Sequence, residues 1–251
     1  AGQRGHSVMI LDHAKAPGEK IRISGGGRCN ITNIHASPKN YLSSNPHFVK
    51  SALARYTAAD FLALVEKHKI AWHEKTLGQL FCDNSAKDII TMLLKEMDAV
   101  GVKMSLKVDI TSVEAKSLGG YRAETSIGTI EAKNLVIATG GKSIPKMGAT
   151  GFAYKVAEQF GLPLIETRPG LVPLTLEPMQ LEKLSVLAGV GVPAEVSHGK
   201  TTFQEALLFT HRGISGPSIL QISSYWREGD DITLSLEPNV DILSILQTAK
   251  K

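Results

Sequence analysis

The chain has 251 residues, enough for one large domain or two modest ones with buried cores. Hydrophobic residues make up 43% and charged residues 21%, close to ordinary globular usage, which argues against a disordered or fibrous chain. The formal charge is +4, with Lys and Arg scattered among acids, so an anionic small ligand is expected and no nucleic-acid partner is.

Ala1 to Gly5 reads as the tail of a helix running straight into an apolar strand, Val8 to Asp12, so the start of a domain is expected upstream. A short apolar run closed by an acid suits a buried parallel strand. Gly18 and the Gly25-Gly26-Gly27 triplet mark a long loop. Helices are expected from Pro46 to Tyr56, from Thr57 to Lys69 with Thr57 as cap and Asp60 in the first turn, and from Ser85 to a stop at Gly101. Short strands are expected at Ile70–Glu74 and Gln79–Cys82, and a small antiparallel insertion between Val102 and Glu131. Leu135 to Gly141 reads as another buried strand ending in glycines, followed by a helix from Phe152 to Phe160.

Composition shifts near Thr167-Arg168-Pro169-Gly170, which sets a domain boundary between 1–167 and 168–251. Beyond it, Leu171–Leu176, Val186–Val192, Thr201–Leu208 and Ile232–Leu236 read as strands. Ser215-Gly216-Pro217 opens one helix, expected to run to Trp226, because Pro is tolerated at the first helical position. Asp241 to Lys251 begins a further helix. The expectation is a mainly-β second region with one complete helix.

Two features carry chemistry. In dinucleotide-binding folds, a carboxylate ending the second strand accepts hydrogen bonds from ribose hydroxyls, and Asp12 occupies that kind of position. The glycine turn that precedes such a strand would lie upstream of Ala1. The second feature is Lys20-Ile21-Arg22-Ile23-Ser24-Gly25-Gly26-Gly27-Arg28-Cys29-Asn30-Ile31-Thr32-Asn33. Glycines admit close backbone approach and positive φ; Arg28 and Lys20 can neutralise a diphosphate; Asn30, Thr32 and Asn33 can meet a polar ring edge. On spacing alone, a solvated surface loop is an equal alternative.

The string from Lys20 to Asn33, preceded by Val-Met-Ile-Leu-Asp12, resembles the FAD-binding loop of the YhiN/BaiN-type flavoproteins, with their Ser-Gly-Gly-Gly-Arg-Cys-Asn-x-Thr-Asn. Similar stretches follow in order at His73–Cys82, Leu135–Gly141, Gly170–Leu174 and Leu208–Pro217, covering essentially the whole chain. The resemblance implies an α/β, Rossmann-like, two-dinucleotide-binding fold, a partial FAD-binding domain at 1–167 and an inserted mainly-β domain at 168–251. It implies FAD held by Asp12, Lys20, Ser24, Gly25, Gly26, Gly27, Arg28, Cys29, Asn30, Thr32 and Asn33. The strand containing Ile110 would pass the adenine, and Thr139, Gly140 and Gly141 would turn away beside the cofactor. The family's Gly-x-Gly-x-x-Gly strand and helix, and its C-terminal Gly-Glu and Gly-Gly-Tyr-Asn groups, have no counterpart in this sequence and are expected outside it.

The implied activity is FAD-dependent hydride or electron transfer in the bacterial cytoplasm on a small-molecule substrate, with NAD(P)H as a candidate reductant. The alternatives are a nucleic-acid-associated flavoprotein, with transfer RNA as the case in point, or an RNA-binding module, encouraged by the basic pI and opposed by 6% aromatics without a basic stripe, and a catalytically silent piece of the flavoprotein. Cys29 reads as a redox thiol or, in preference, a small residue fitted into a ligand loop, with no resolving cysteine near it in sequence. His73 and His211 read as acid–base groups or, in preference, structural ones. Met92 and Met97 read as core. Cys29 and Cys82 lack metal spacing and lie far apart in sequence, which argues against a zinc site and a disulfide framework. No stretch approaches the roughly 18 apolar residues of a membrane span.

Overall fold

The computed structural model describes all residues except 146, 147, 237, 239, 241, 250 and 251. The chain divides into two compact units, Ala1–Leu164 and Ile165–Lys251. Among the described residues no helix is long and apolar enough to cross a membrane.

The first unit runs β1 (Met9–Leu11), α1 (Glu19–Ile23), β2 (Asn30–Asn33), α2 (Lys50–Arg55), α3 (Ala58–Lys67), β3 (Trp72–Glu74), β4 (Gln79–Cys82) and α4 (Ala86–Asp98). It continues with β5 (Lys103–Ser105), β6 (Ile110–Ala115), β7 (Tyr121–Thr125), β8 (Gly128–Ala132) and α5 (Phe152–Gln159). The helix starts follow their caps. Thr57 Oγ1 accepts the Asp60 N–H at 3.1 Å while the Asp60 carboxylate accepts the Thr57 N–H at 2.7 Å, closing a reciprocal pair at the head of α3. Ser85 accepts the Lys87 N–H at 3.2 Å at the head of α4. Gly101, at φ 67°, ends that turn and lets the Val102 N–H reach back to Met97 O at 3.0 Å.

The core of this unit lies between α3, α4 and the antiparallel sheet β2-β4-β3. Val65, Leu80, Cys82, Ala86, Ile89 and Met92 are at most 2% exposed, and they are joined by Cys29, just before β2, and by Ile31 on β2. Full burial of a side chain such as Leu80 contributes about 1.5–3 kcal/mol. β1 pairs in parallel with β5, with Ile10 opposite Met104, so the chain crosses over through α4 to return beside β1. A separate antiparallel sheet, β6-β7-β8, is tied to α5 by the Gln159 amide, which donates to Val113 O at 2.6 Å.

The expected strand at Leu135–Gly141 does not form a ladder with any described strand. Leu135 and Ile137 are half-buried and Val136 is 82% exposed, so the stretch keeps strand-like alternation without partners. Its Leu-Val-Ile composition favours the extended state, but a strand is made by cross-strand hydrogen bonds and packing, which local preference does not supply.

The second unit comprises β9 (Leu174–Thr175), α6 (Pro178–Leu184), β10 (Gly191–His198), β11 (Thr201–Thr210), β12 (Gly213–Ser215), α7 (Pro217–Ile222), β13 (Thr233–Leu236) and α8 (Ile242–Ala249). Its antiparallel sheet has the order β13-β10-β11-β12-β9. α7 packs on it, burying Ile219 and Ile222 against Ala194, Val196, Leu207 and Phe209. Gly216, at φ 94°, lets the chain leave β12 close over β11: a Cβ there would lie 2.6 Å from Ala206 O.

Several expectations for this region change. The one complete helix expected there is joined by α6, which Pro178 opens at a first helical position, while α8 forms within the span of the expected last helix. Asp241, Lys250 and Lys251 of the expected last helix lie outside the described residues. Val186–Val192 is a 3₁₀ turn over Ser185–Leu187 and then Gly189 at φ 93°, with the strand beginning only at Gly191. Leu171–Leu176 shortens to β9 because Leu171 is left-handed at φ 55°, Pro173 has no N–H, and the Leu171 and Val172 N–H groups donate to Ser224 Oγ and Ser223 Oγ. α7 ends at Ile222, not Trp226.

Candidate cofactor site

The glycine loop is a chain of left-handed residues: Gly25, Gly26 and Gly27 at φ 58°, 66° and 88°, then Cys29 at φ 56° after a right-handed Arg28. A right-handed residue followed by a left-handed one turns successive N–H groups to one side. Ser24 fills the concavity thus made. Its carbonyl accepts the Cys29 N–H at 2.9 Å and its hydroxyl accepts the Asn30 N–H at 3.3 Å.

The glycines are not equivalent. A Cβ on Gly25 would lie 2.5 Å from the Phe81 ring, so Gly25 is required by packing. A Cβ on Gly26 would meet nothing within 4 Å and one on Gly27 only Arg22 O at 3.8 Å. The outer side of the loop is therefore open main chain, and the exposed Arg28 beside it has no ion-pair partner among the described residues.

Other expected residues gather around this loop. Lys20, on α1, donates to Ser143 O and Oγ at 3.1 and 2.9 Å, which fastens the helix before the loop to the stretch after Thr139-Gly140-Gly141. Gly140 is left-handed with open space, and Gly141 lies against the Tyr154 hydroxyl. The same stretch returns at Gly148 to His13, the neighbour of Asp12. Asp12 sits just past β1, its N–H donating to Ser105 O and its carbonyl accepting the Val108 N–H, both at 3.0 Å. One carboxylate oxygen accepts the Ala14 N–H at 2.9 Å. Ile110 follows two residues after this tie, half-buried at the start of β6.

Thr32 and Asn33 lie on β2, facing Leu80 and Gln79. Asn33 spends both ends of its amide locally, donating to Leu77 O at 2.8 Å and accepting the His35 N–H at 2.8 Å, so it builds the Leu77-Gly78 turn. Asn30 is exposed.

Sequence order hides a cysteine pair. β2 and β4 run antiparallel with Asn30 opposite Phe81, which sets Cys29 across from Cys82 in one core cluster. Burial pushes the Cys29 thiol up, with the Ser24 hydroxyl opposing, and pushes Cys82 up to about 11, helped by Cys29 itself and nearby acids. Both are free and buried, which suits packing and not an activated thiolate. His73 Nδ1 lies 2.7 Å from Asp83 Oδ1 and its ring stacks near Phe81, a pair that the spacing of residues 73 and 83 did not reveal. His211 is exposed at the turn after β11. Met92 is core. Among the described residues no group of three or more His, Cys, Asp or Glu could hold a metal.

The chain is similar to several known proteins. The family described as "HI0933-like protein Rossmann domain" matches residues 1–221. Proteins named "Ribosomal RNA dihydrouridine synthase" from Escherichia coli (strain K12) and Haemophilus influenzae are 54% and 46% identical to it, each over 98% of the chain. A "3-dehydro-bile acid delta(4,6)-reductase" from Clostridium scindens is 26% identical over 97% of the chain. The chain spans about 62% of the length of the first two relatives and 60% of the third. The expectation of no nucleic-acid partner is overturned by the two relatives named for RNA modification; mild net charge is a poor guide to a partner that a local surface can recognise. With its parallel β1–β5 pair, its acid at the end of β1 and a family match across residues 1–221, the chain belongs to the HI0933-like Rossmann-domain family.

Proposed function

We propose that this chain is the cofactor-binding portion of an FAD-dependent reductase that acts on ribosomal RNA, converting uridine to dihydrouridine with NAD(P)H as the source of electrons. The observation that carries the reading is identity of 54% and 46% over 98% of the chain to proteins named for that reaction. The fit of a flavin dinucleotide is supported by the open main chain at Gly26 and Gly27, the unpaired Arg28 beside it, and Asp12 at the end of β1. Arg28 would balance the diphosphate, Asp12 would accept from the ribose hydroxyls, and Lys20, held by Ser143, would keep the Gly140-Gly141 stretch beside the loop. A reduced flavin supplies a hydride, and the protein supplies orientation and electrostatics.

The third relative widens the chemistry without changing it. The 5,6 bond of uracil and the alkenes of a 3-oxo-Δ4,6 steroid are both conjugated to carbonyls, so hydride addition to the far carbon is common to both names. An RNA substrate and two reduced, buried cysteines accord with action in the cytoplasm.

The test is to incubate the full-length protein with unmodified ribosomal RNA and NADH or NADPH and measure nucleoside masses. Uridine gaining two hydrogens, only when the protein is yellow with flavin, is expected. A flavin-loaded protein that leaves RNA unchanged but reduces a small enone would move the reading to small-molecule reduction.

A further inference from the structure

From Lys20 to Ala59 the sequence contains no Asp or Glu, yet carries Lys20, Arg22, Arg28, Lys39, Lys50 and Arg55. A mild net charge thus conceals an entirely basic stretch of forty residues. Its second half stands out from the unit. Between Lys39 and Thr57 only Val49, Leu53 and no other residue reaches even half-burial. Phe48 is 74% exposed, Tyr56 53%, Leu42 50% and Tyr41 48%. Aromatic side chains left in water at this density mark a binding surface.

Tyr41, Leu42, Ser43, Asn45, Pro46 and Phe48 line a hollow of about 200 Å³. Its shape is fixed by side chain to backbone bonds. Asn40 Oδ1 accepts from the Ser37 N–H and hydroxyl at 2.9 Å, Ser43 Oγ accepts the Asn45 N–H at 3.2 Å, and Asn45 Oδ1 accepts the His47 N–H at 3.0 Å. Lys39, Lys50 and Arg55 flank the hollow in sequence, and none pairs with a carboxylate among the described residues.

Resting on the RNA reading above, we infer that the Lys39–Tyr56 segment is a single-stranded RNA grip, in which Tyr41 and Phe48 stack on unpaired bases while Lys39, Lys50 and Arg55 meet phosphates. Exposed aromatic faces interleaved with unpaired cations are what single strands recognise, because every base has a π-face and every linkage a charge. A protein partner matched to this face would need acids throughout its contact, and it would not call for flat rings standing in water. Asn40, Ser43 and Asn45 spend their side-chain oxygens on turns, and stacking on rings and pairing with phosphates do not depend on base identity, so the grip holds RNA of unrelated sequences. The expectation of aromatics without a basic stripe does not hold for this stretch, where Tyr41, Phe48 and Tyr56 are interleaved with Lys39, Lys50 and Arg55.

The test is fluorescence anisotropy of the full-length protein with labelled single-stranded RNA of two unrelated sequences, titrated with salt. Wild type binds both sequences alike, with a log–log salt slope of about −2 for three phosphate contacts. Tyr41→Ala with Phe48→Ala weakens binding about tenfold or more at unchanged slope. Lys39→Ala, Lys50→Ala and Arg55→Ala together flatten the slope by about 2. Thermal melts of these surface variants should match wild type. If wild type binds and the aromatic variant binds equally well, the grip is wrong and the RNA reading stands. If wild type binds no RNA at low salt, the RNA reading itself fails. If the aromatic variant instead turns a dimer into a monomer with RNA affinity unchanged, the face belongs to a second copy and the inference is overturned.

Discussion

The Phe81 ring occupies the space a side chain at Gly25 would need, its Cε1 2.5 Å from a Cβ placed there. That relationship anchors the glycine loop to β4, and it separates glycines required by packing from those left open to a ligand.

Gly25→Ala should therefore lower stability by more than the ~1–2 kcal/mol of a left-handed alanine, and the double variant with Phe81→Ala should lose less than the sum of the two single losses. Gly26→Ala should cost only about that strain, while a β-branched residue at Gly26, whose side chain projects into open space, should abolish flavin retention in the full-length protein. Melting curves and blue absorbance read the two effects separately; equal stability loss at both glycines would refute the distinction.

Glu96 binds Lys67 Nζ at 2.8 Å and His68 Nε2 at 2.7 Å, joining α4 to the end of α3. These two hydrogen bonds, Lys67 first, hold its carboxyl down to about 2 from an ordinary 4.5. A carboxyl lowered on folding stabilises above its unfolded value and loses that contribution as pH falls toward the folded one. Wild type should out-melt Glu96→Gln above pH 4.5, with the gap closing between there and about pH 2. A gap constant across that window would remove the clamp.

Ser223 is 4% exposed, accepting the Val172 N–H at 2.9 Å and donating to Leu220 O at 2.8 Å. Ser223→Ala leaves that N–H without its partner and should cost about 1–3 kcal/mol, read as a lower melting point of the second unit and faster proteolysis near Leu171. Unaltered proteolysis would show that β9 is held by other contacts.

Cys29 and Cys82 should resist alkylation in the folded protein at neutral pH, because both are buried and both thiols are raised. Labelling should appear only with denaturant. Rapid modification of Cys29 in native protein would restore it as a redox candidate.

Much of this was legible beforehand wherever a local rule fixed the outcome. Thr57 with Asp60, Ser85, Gly101 and Pro217 each dictate a helix end through one or two hydrogen bonds or a fixed φ, and each acts where the sequence places it. What depended on a distant partner was not legible. Leu135–Gly141 has the composition of a strand without a ladder, Cys29 meets Cys82 through strand pairing across more than fifty positions, and His73 finds Asp83 the same way. Asn33 looked like a ligand because its side chain is polar, and its bonds to Leu77 and His35 show that a turn consumes it. The grip around Phe48 escaped notice for a different reason: averaging charge over the chain conceals a run defined by what it omits.

Ser24, by turning its own two oxygens onto the amides of Cys29 and Asn30, makes the loop a finished mould. Ordering a flexible segment on arrival of a ligand would cost about 1–2 kcal/mol for each residue fixed, and from Ser24 to Asn33 that expense has already been met when the protein folds. A dinucleotide entering here should thus be captured at a rate set by diffusion and desolvation, with its lifetime governed by Arg28 and by whatever lies over the open face of Gly26.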